Sequence, residues 1–110
     1  MRSWLALAIK GLLLATTVSA PALADEPTAA DRTRLSYLVR HDCGSCHGMT
    51  LKGGLGGPLL PANLDGASVE GLAEVILDGI PDTPMPPWRS QLSEREARWI
   101  ARALMEGQIE

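Results

Sequence analysis

Cys43-Gly44-Ser45-Cys46-His47 gathers both cysteines of a 110-residue chain and one of its two histidines into five consecutive positions. Few chemistries use thiols so placed. A thioredoxin-like redox pair needs a βαβ setting, and nothing around the motif reads as strand. A zinc centre needs four ligands, and His41, Cys43, Cys46 and His47 are crowded into seven residues with no second half-site. A disulfide between thiols three apart closes too short a loop to brace a fold, and it gives the histidine nothing to do. Covalent haem attachment uses every residue. The thiols of Cys43 and Cys46 add to the two vinyl groups of one porphyrin from a tight helical turn, and His47 is carried beneath the iron as its fifth ligand.

The rest of the chain fits one cofactor in a small exported domain. MRSWLALAIKGLLLATTVSAPALA has a basic start, an apolar run and small residues at Ala22 and Ala24. This is the pattern of a secretory signal cleaved after Ala24. Lys10 leaves the apolar stretch short of the roughly 20 residues that span a bilayer. The expected organisation is a signal peptide over 1–24 and one domain over 25–110, which places the mature protein in the periplasm. A domain that small buries little core of its own and commonly needs a metal, disulfide or cofactor. There is no phenylalanine, one tyrosine and only three tryptophans, as expected if a flat porphyrin fills the centre. The mature part keeps 8 of the 10 basic and all 13 acidic side chains, five more acidic than basic. That balance argues against a nucleic-acid partner.

Helical patterning appears in three places, and no segment alternates like a strand. Thr28 and Asp31 open a first helix with Leu35, Leu38 and Val39 on one face, running to about Arg40. Ser68 caps a second, whose Val69, Leu72, Val75 and Ile76 share a face before Gly79. Ser93 and Glu96 form a capping box for the last, with Leu92 stapled onto Ala97 and with Ala97, Ile100, Ala101 and Leu104 inward. Between them lie a glycine- and proline-rich loop over 48–66 and the segment Pro81-Asp82-Thr83-Pro84-Met85-Pro86-Pro87-Trp88, where four prolines forbid helix and central strand. The predicted class is all-α, three main helices around proline- and glycine-rich loops.

The second axial position decides between electron carrier and open-site haem protein. Met49 is too near His47 to reach around a ring, and Met105 ends the last helix. Met85 lies 38 residues beyond His47 and is stiffened by Pro84, Pro86 and Pro87, so it is the expected sixth ligand, its thioether favouring ferrous iron. A carbonyl at Pro58, with Pro61 as fallback, is expected to accept from the other ring nitrogen of His47 and make the ligand more basic. Trp88 either donates its indole N–H to a haem propionate or forms a wall of the pocket. Arg95, Arg98 and Arg102 are accounted for by helix pairs with Glu94 and Glu106. The competing function is a gas- or peroxide-binding haem protein, which needs a distal acid or base; His41, the one other histidine, sits two residues before Cys43 on the proximal side.

Helix, Cys-x-x-Cys-His, Gly-Pro, methionine loop and a last helix bearing an aromatic residue together resemble the class I cytochromes c over the whole mature chain. The resemblance implies that the first and last helices cross at one haem edge, Leu35, Leu38 and Val39 meeting Trp99, Ile100 and Ala103. More narrowly, CGSCHGMTLKGGLGGPLL and ILDGIPDTPMPPWRSQLSEREARWIARAL are similar to the NirC-type cytochromes of denitrification gene clusters. That likeness implies a periplasmic monohaem carrier of haem c, not an enzyme. Its implied partner is the dihaem nitrite reductase, either as the acceptor of its electrons or as a protein whose second haem it helps to mature.

Overall fold

A computed structural model describes residues 26–109, together with residue 15. The predicted signal segment, 1–24, lies outside the described residues apart from Ala15. The elements are α1 (Ala29–Leu38), a π-helical turn (Val39–Cys43), α2 (Gly44–His47), a 3-10 turn (Pro61–Asn63), α3 (Val69–Asp78) and α4 (Glu94–Met105). Among the described residues there is no strand, and no helix is long and apolar enough to cross a membrane.

The predicted caps set where the helices begin. Thr28 Oγ accepts from the Asp31 N–H at 3.1 Å while Asp31 Oδ2 accepts from the Thr28 N–H at 3.3 Å. Ser93 and Glu96 form the same reciprocal pair at 3.2 and 2.9 Å, and Ser68 Oγ accepts from the Gly71 N–H at 3.0 Å. Each box satisfies backbone donors that the first turn of a helix otherwise leaves unpaired.

The end of the first helix differs from expectation. It does not stop near Arg40; the backbone widens into the π turn and continues as α2 through His47. Residues 38–47 contain no proline, and Gly44 keeps an αR conformation with φ −62°, so nothing in that stretch breaks the helix. The haem motif therefore rides on a continuation of α1.

α4 is the centre of the packing. Its Ala97, Ile100, Ala101, Ala103 and Leu104 are buried, with Leu35 and Val39 fully buried against the same core and α1 and α4 in contact. Trp99 and Leu38, expected inside the crossing, are only partly buried and pack on its margin. α3 lies along α4 through Ala73 and Leu77. Arg98 pairs with Glu94 at 4.0 Å, but Arg102 reaches Glu26 at 2.6 Å, not Glu106. Arg34 of α1 pairs with Glu96 of α4, an ionic tie across the same two helices.

Candidate functional site

Cys43, Cys46, His47, Met85 and Trp88 line one cavity of ≈ 580 Å³, a volume in the range of cofactor pockets. Its walls are mostly aliphatic: Leu55 and Leu59 from the glycine-rich loop, Leu72, Val75 and Ile76 from α3, and Ile100 and Leu104 from α4. Met49 and Met105 are not among the lining residues.

The loop after the motif clamps it from the backbone. The Gly53 N–H donates to the His47 carbonyl and the Gly56 N–H to the Cys46 carbonyl, each at 2.8 Å. These bonds take up acceptors that the end of α2 leaves free. Next to them, His47 Nδ1 lies 2.7 Å from the carbonyl oxygen of Gly57. With Nδ1 donating there, Nε2 keeps its lone pair for a metal.

This corrects the expected acceptor: the carbonyl belongs to Gly57, and neither Pro58 nor Pro61 supplies it. Proline disfavours the α region for the residue before it, so Pro58 acts one step away by holding the Gly57 peptide extended. Pro58 itself is exposed, and Pro61 begins the 3-10 turn. The Gly-Pro dipeptide was the legible signal; its first residue carries the contact. Gly56 was missed altogether. A Cβ there would lie 2.7 Å from both Cε1 and Nδ1 of the His47 ring, so only a bare backbone can pass so close to the imidazole.

Met85 is held by its own loop. Its N–H donates to Thr83 Oγ at 3.3 Å and its carbonyl accepts from the Ile80 N–H at 3.2 Å. Gly79 ends α3 with φ +68°, and a Cβ at that position would meet the Met85 carbonyl oxygen at 2.7 Å. Its left-handed conformation and missing side chain let the proline-rich segment fold back over the helix end. The Trp88 N–H closes the segment with bonds to the Ile76 and Leu77 carbonyls at 3.1 and 3.0 Å. The Trp88 side chain is a cavity wall, and its indole N–H has no protein acceptor among the described residues.

The electrostatics do not favour the other cysteine chemistries. Burial, and then the neighbouring Asp42 carboxylate, push the Cys43 thiol up to about 11; redox-pair cysteines are tuned the opposite way, toward thiolate at neutral pH. Cys43 and Cys46 are not bridged to each other. No three His, Cys, Asp or Glu side chains among the described residues converge as a metal cluster. His41 stacks on Tyr37, ring centroids 4.0 Å apart, outside the cavity lining. Two thiols, an imidazole with a free Nε2 and a thioether on an apolar cavity form a donor set that fits a covalently bound haem.

Comparison with known proteins agrees. The family profile described as cytochrome C oxidase, cbb3-type, subunit III matches residues 30–102. Cytochrome c55X of Paracoccus denitrificans is 50% identical over 98 residues, 89% of this chain and 95% of its own length. Cytochrome c55X of Pseudomonas aeruginosa is 48% identical over 107 residues, 96% of this chain and 86% of its own length. The solved structure of the c-type cytochrome NirC superposes with a TM-score of 0.74 at 47% identity, covering 76% of this chain and 98% of that one. A part of the Pseudomonas aeruginosa dihydro-heme d1 dehydrogenase is also similar, 32% identical over 88 residues, 66% of this chain and 18% of its own length.

Fold and site together define a class I c-type cytochrome. Within that class, the chain belongs to the cytochrome c55X family. Membership implies a covalently bound haem c and electron exchange with redox partners.

Proposed function

We propose that residues 25–110, freed of the export segment 1–24, form a periplasmic carrier of one haem c that moves single electrons. Cys43 and Cys46 form the thioethers, and His47 Nε2 and the Met85 sulfur are the axial ligands. The observation that carries this reading is the meeting of those four side chains on one apolar cavity. The haem supplies the one-electron couple. The protein's residues attach it, fix the imidazole through Gly57, and present a thioether from a segment stiffened by three prolines, so that both oxidation states share one geometry. The gas- or peroxide-binding alternative finds no second histidine on the cavity.

The proposed partner belongs to nitrite reduction. Similarity to the protein named dihydro-heme d1 dehydrogenase favours electron traffic that serves haem d1 chemistry, either as electrons delivered to the dihaem nitrite reductase or as electrons exchanged while its second haem is completed.

The ligand assignment is tested by visible spectra of wild type and Met85→Ala. Wild type is expected to be low-spin in both oxidation states and inert to carbon monoxide. Met85→Ala is expected to become high-spin or water-ligated, to bind carbon monoxide when reduced and to change its potential, while Met49→Ala and Met105→Ala stay like wild type. Avid carbon monoxide binding by wild type, or a Met85→Ala spectrum equal to wild type, overturns the carrier reading.

A further inference from the structure

The charges of this chain are segregated along its length. Between Lys52 and Arg89 there is no lysine, arginine or histidine, while Asp65, Glu70, Glu74, Asp78 and Asp82 all fall in that stretch. All five are exposed, and Asp78 alone among them forms an ion pair, with Arg89 at 2.8 Å. The cations of α1 and α4 behave differently: Arg32, Arg34, Arg98 and Arg102 each have a carboxylate within reach.

The anion-only stretch also builds most of the cavity wall. Leu55, Val75 and Ile80 line the cavity and are 76%, 37% and 46% exposed, so they belong to its mouth. Glu74 and Asp78 occupy the exposed face of α3 next to Val75, with Gly71 one turn before Val75 leaving that edge flat. Asp82 stands on the loop between Ile80 and Met85. An exposed apolar rim marks a protein contact better than scattered surface leucines do, and a surrounding charge of one sign selects and steers the partner.

We propose that the cavity mouth, with Leu55, Val75 and Ile80 at its centre and Glu74, Asp78 and Asp82 around it, is the docking surface for a redox protein that carries lysines or arginines around its own cofactor. This deepens the carrier reading and rests on the cavity holding the haem. The partner's cations complement unpaired carboxylates, the two apolar rims exclude water, and one electron passes between the two cofactors at closest approach. A second copy of this chain fits less well, because most of its own cations are already paired.

The test uses purified ferrous holoprotein and two one-electron oxidants of opposite charge. The cation tris(phenanthroline)cobalt(III) stands in for a basic partner, and the anion ferricyanide is its counterpart; each takes the electron that leaves the protein ferric. Glu74→Lys reverses one charge beside the mouth. Glu106→Lys makes the same change of net charge at the far end of α4.

At low ionic strength Glu74→Lys is expected to slow the cobalt reaction by roughly threefold or more and to speed the ferricyanide reaction by a similar factor. Both effects are expected to fade as salt shortens the screening length to about 8 Å, and Glu106→Lys should change either rate much less. Equal effects from the two variants mean that only net charge matters and overturn the proposal, as does an unchanged Glu74→Lys. Rates that depend on self-association, seen as a concentration-dependent dimer in sedimentation, assign the face to a second copy instead. A protein without attached haem defeats the carrier reading itself and is seen in the visible spectrum before any kinetics.

Discussion

Gly56→Ala isolates the contact that orients the proximal histidine. The new Cβ would sit 2.7 Å from Cε1 and Nδ1 of His47 and 3.1 Å from Nε2, whereas ordinary contact begins near 3.4 Å. Gly56 is not among the residues with positive φ, so alanine is acceptable to the backbone and the whole effect is collision with the ring. Relief requires ring and loop to part by several tenths of an ångström. The Nδ1 to Gly57 hydrogen bond, 2.7 Å long, then stretches toward the limit of about 3.2 Å for such bonds. A hydrogen bond of this kind is worth about 1 kcal/mol net. It makes the imidazole a stronger donor and so stabilises ferric iron. Its loss is expected to raise the midpoint potential by about 40 mV, taking 59 mV per factor of ten for one electron. Spectroelectrochemical titration reads the shift, and proton NMR of the haem methyl groups reports the rotated ligand. Gly57→Ala is the control, since a Cβ there meets nothing within 4 Å. A Gly56→Ala midpoint within about 10 mV of wild type, far below that scale, or an equal shift in Gly57→Ala, refutes the reasoning.

Leu35→Ala, at a fully buried position of the α1 and α4 crossing, should cost about 3 kcal/mol and lower the melting temperature by more than about 10 °C. Trp99→Ala should cost less than Leu35→Ala, because Trp99 lies on the margin; the reverse order in denaturant titrations would contradict the packing. Ser93→Ala should cost about 1 kcal/mol through loss of the helix cap, read as an earlier unfolding midpoint with an unchanged slope. The Ser93 backbone N–H, and then Arg34, hold the Glu96 carboxyl below its ordinary value of 4.5. A depressed folded value means that the stabilisation is complete above 4.5 and is lost as pH falls below it, and Glu96→Gln should flatten that part of the stability profile. Replacing Cys43 or Cys46 with alanine should leave haem that is extracted by acid acetone more readily than from wild type, as a mass measurement of the chain would show.

The parts of this molecule that were legible in the sequence are those set by local chemistry. Capping residues at Thr28, Ser68 and Ser93 act within three positions of themselves, so the helix starts could be read directly. The Cys-x-x-Cys-His spacing is equally local. What escaped was relational. Nothing in the composition of residues 39–43 distinguishes a widened turn from an ordinary one, because the choice depends on where α4 and the cavity lie. Gly56 looked like one of several loop glycines until the ring of His47 was found beside it. Pro58 announced a hydrogen bond whose acceptor is the preceding residue, since proline shapes the peptide before it. The partial exposure of Trp99 follows from α1 meeting α4 through Leu35 and Val39, which the periodicity of α4 alone does not report.

The widened turn at Val39–Cys43 has a consequence for which changes of length this family can tolerate. Successive residues of an α-helix advance by about 100° around its axis, and a π turn absorbs one residue more per turn than an α turn does. Upstream of it, Leu35 and Val39 are in phase with α4; downstream, Cys43, Cys46 and His47 are in phase with the cavity. The extra residue is the offset between two faces of one continuous rod. Deleting any single residue among Arg40, His41 and Asp42 would let the turn relax to α geometry and swing the attachment motif by about 100° away from the cavity, with every side chain of the motif still present. Substitutions within the turn leave the offset in place, so this stretch is free to change in composition and constrained in length.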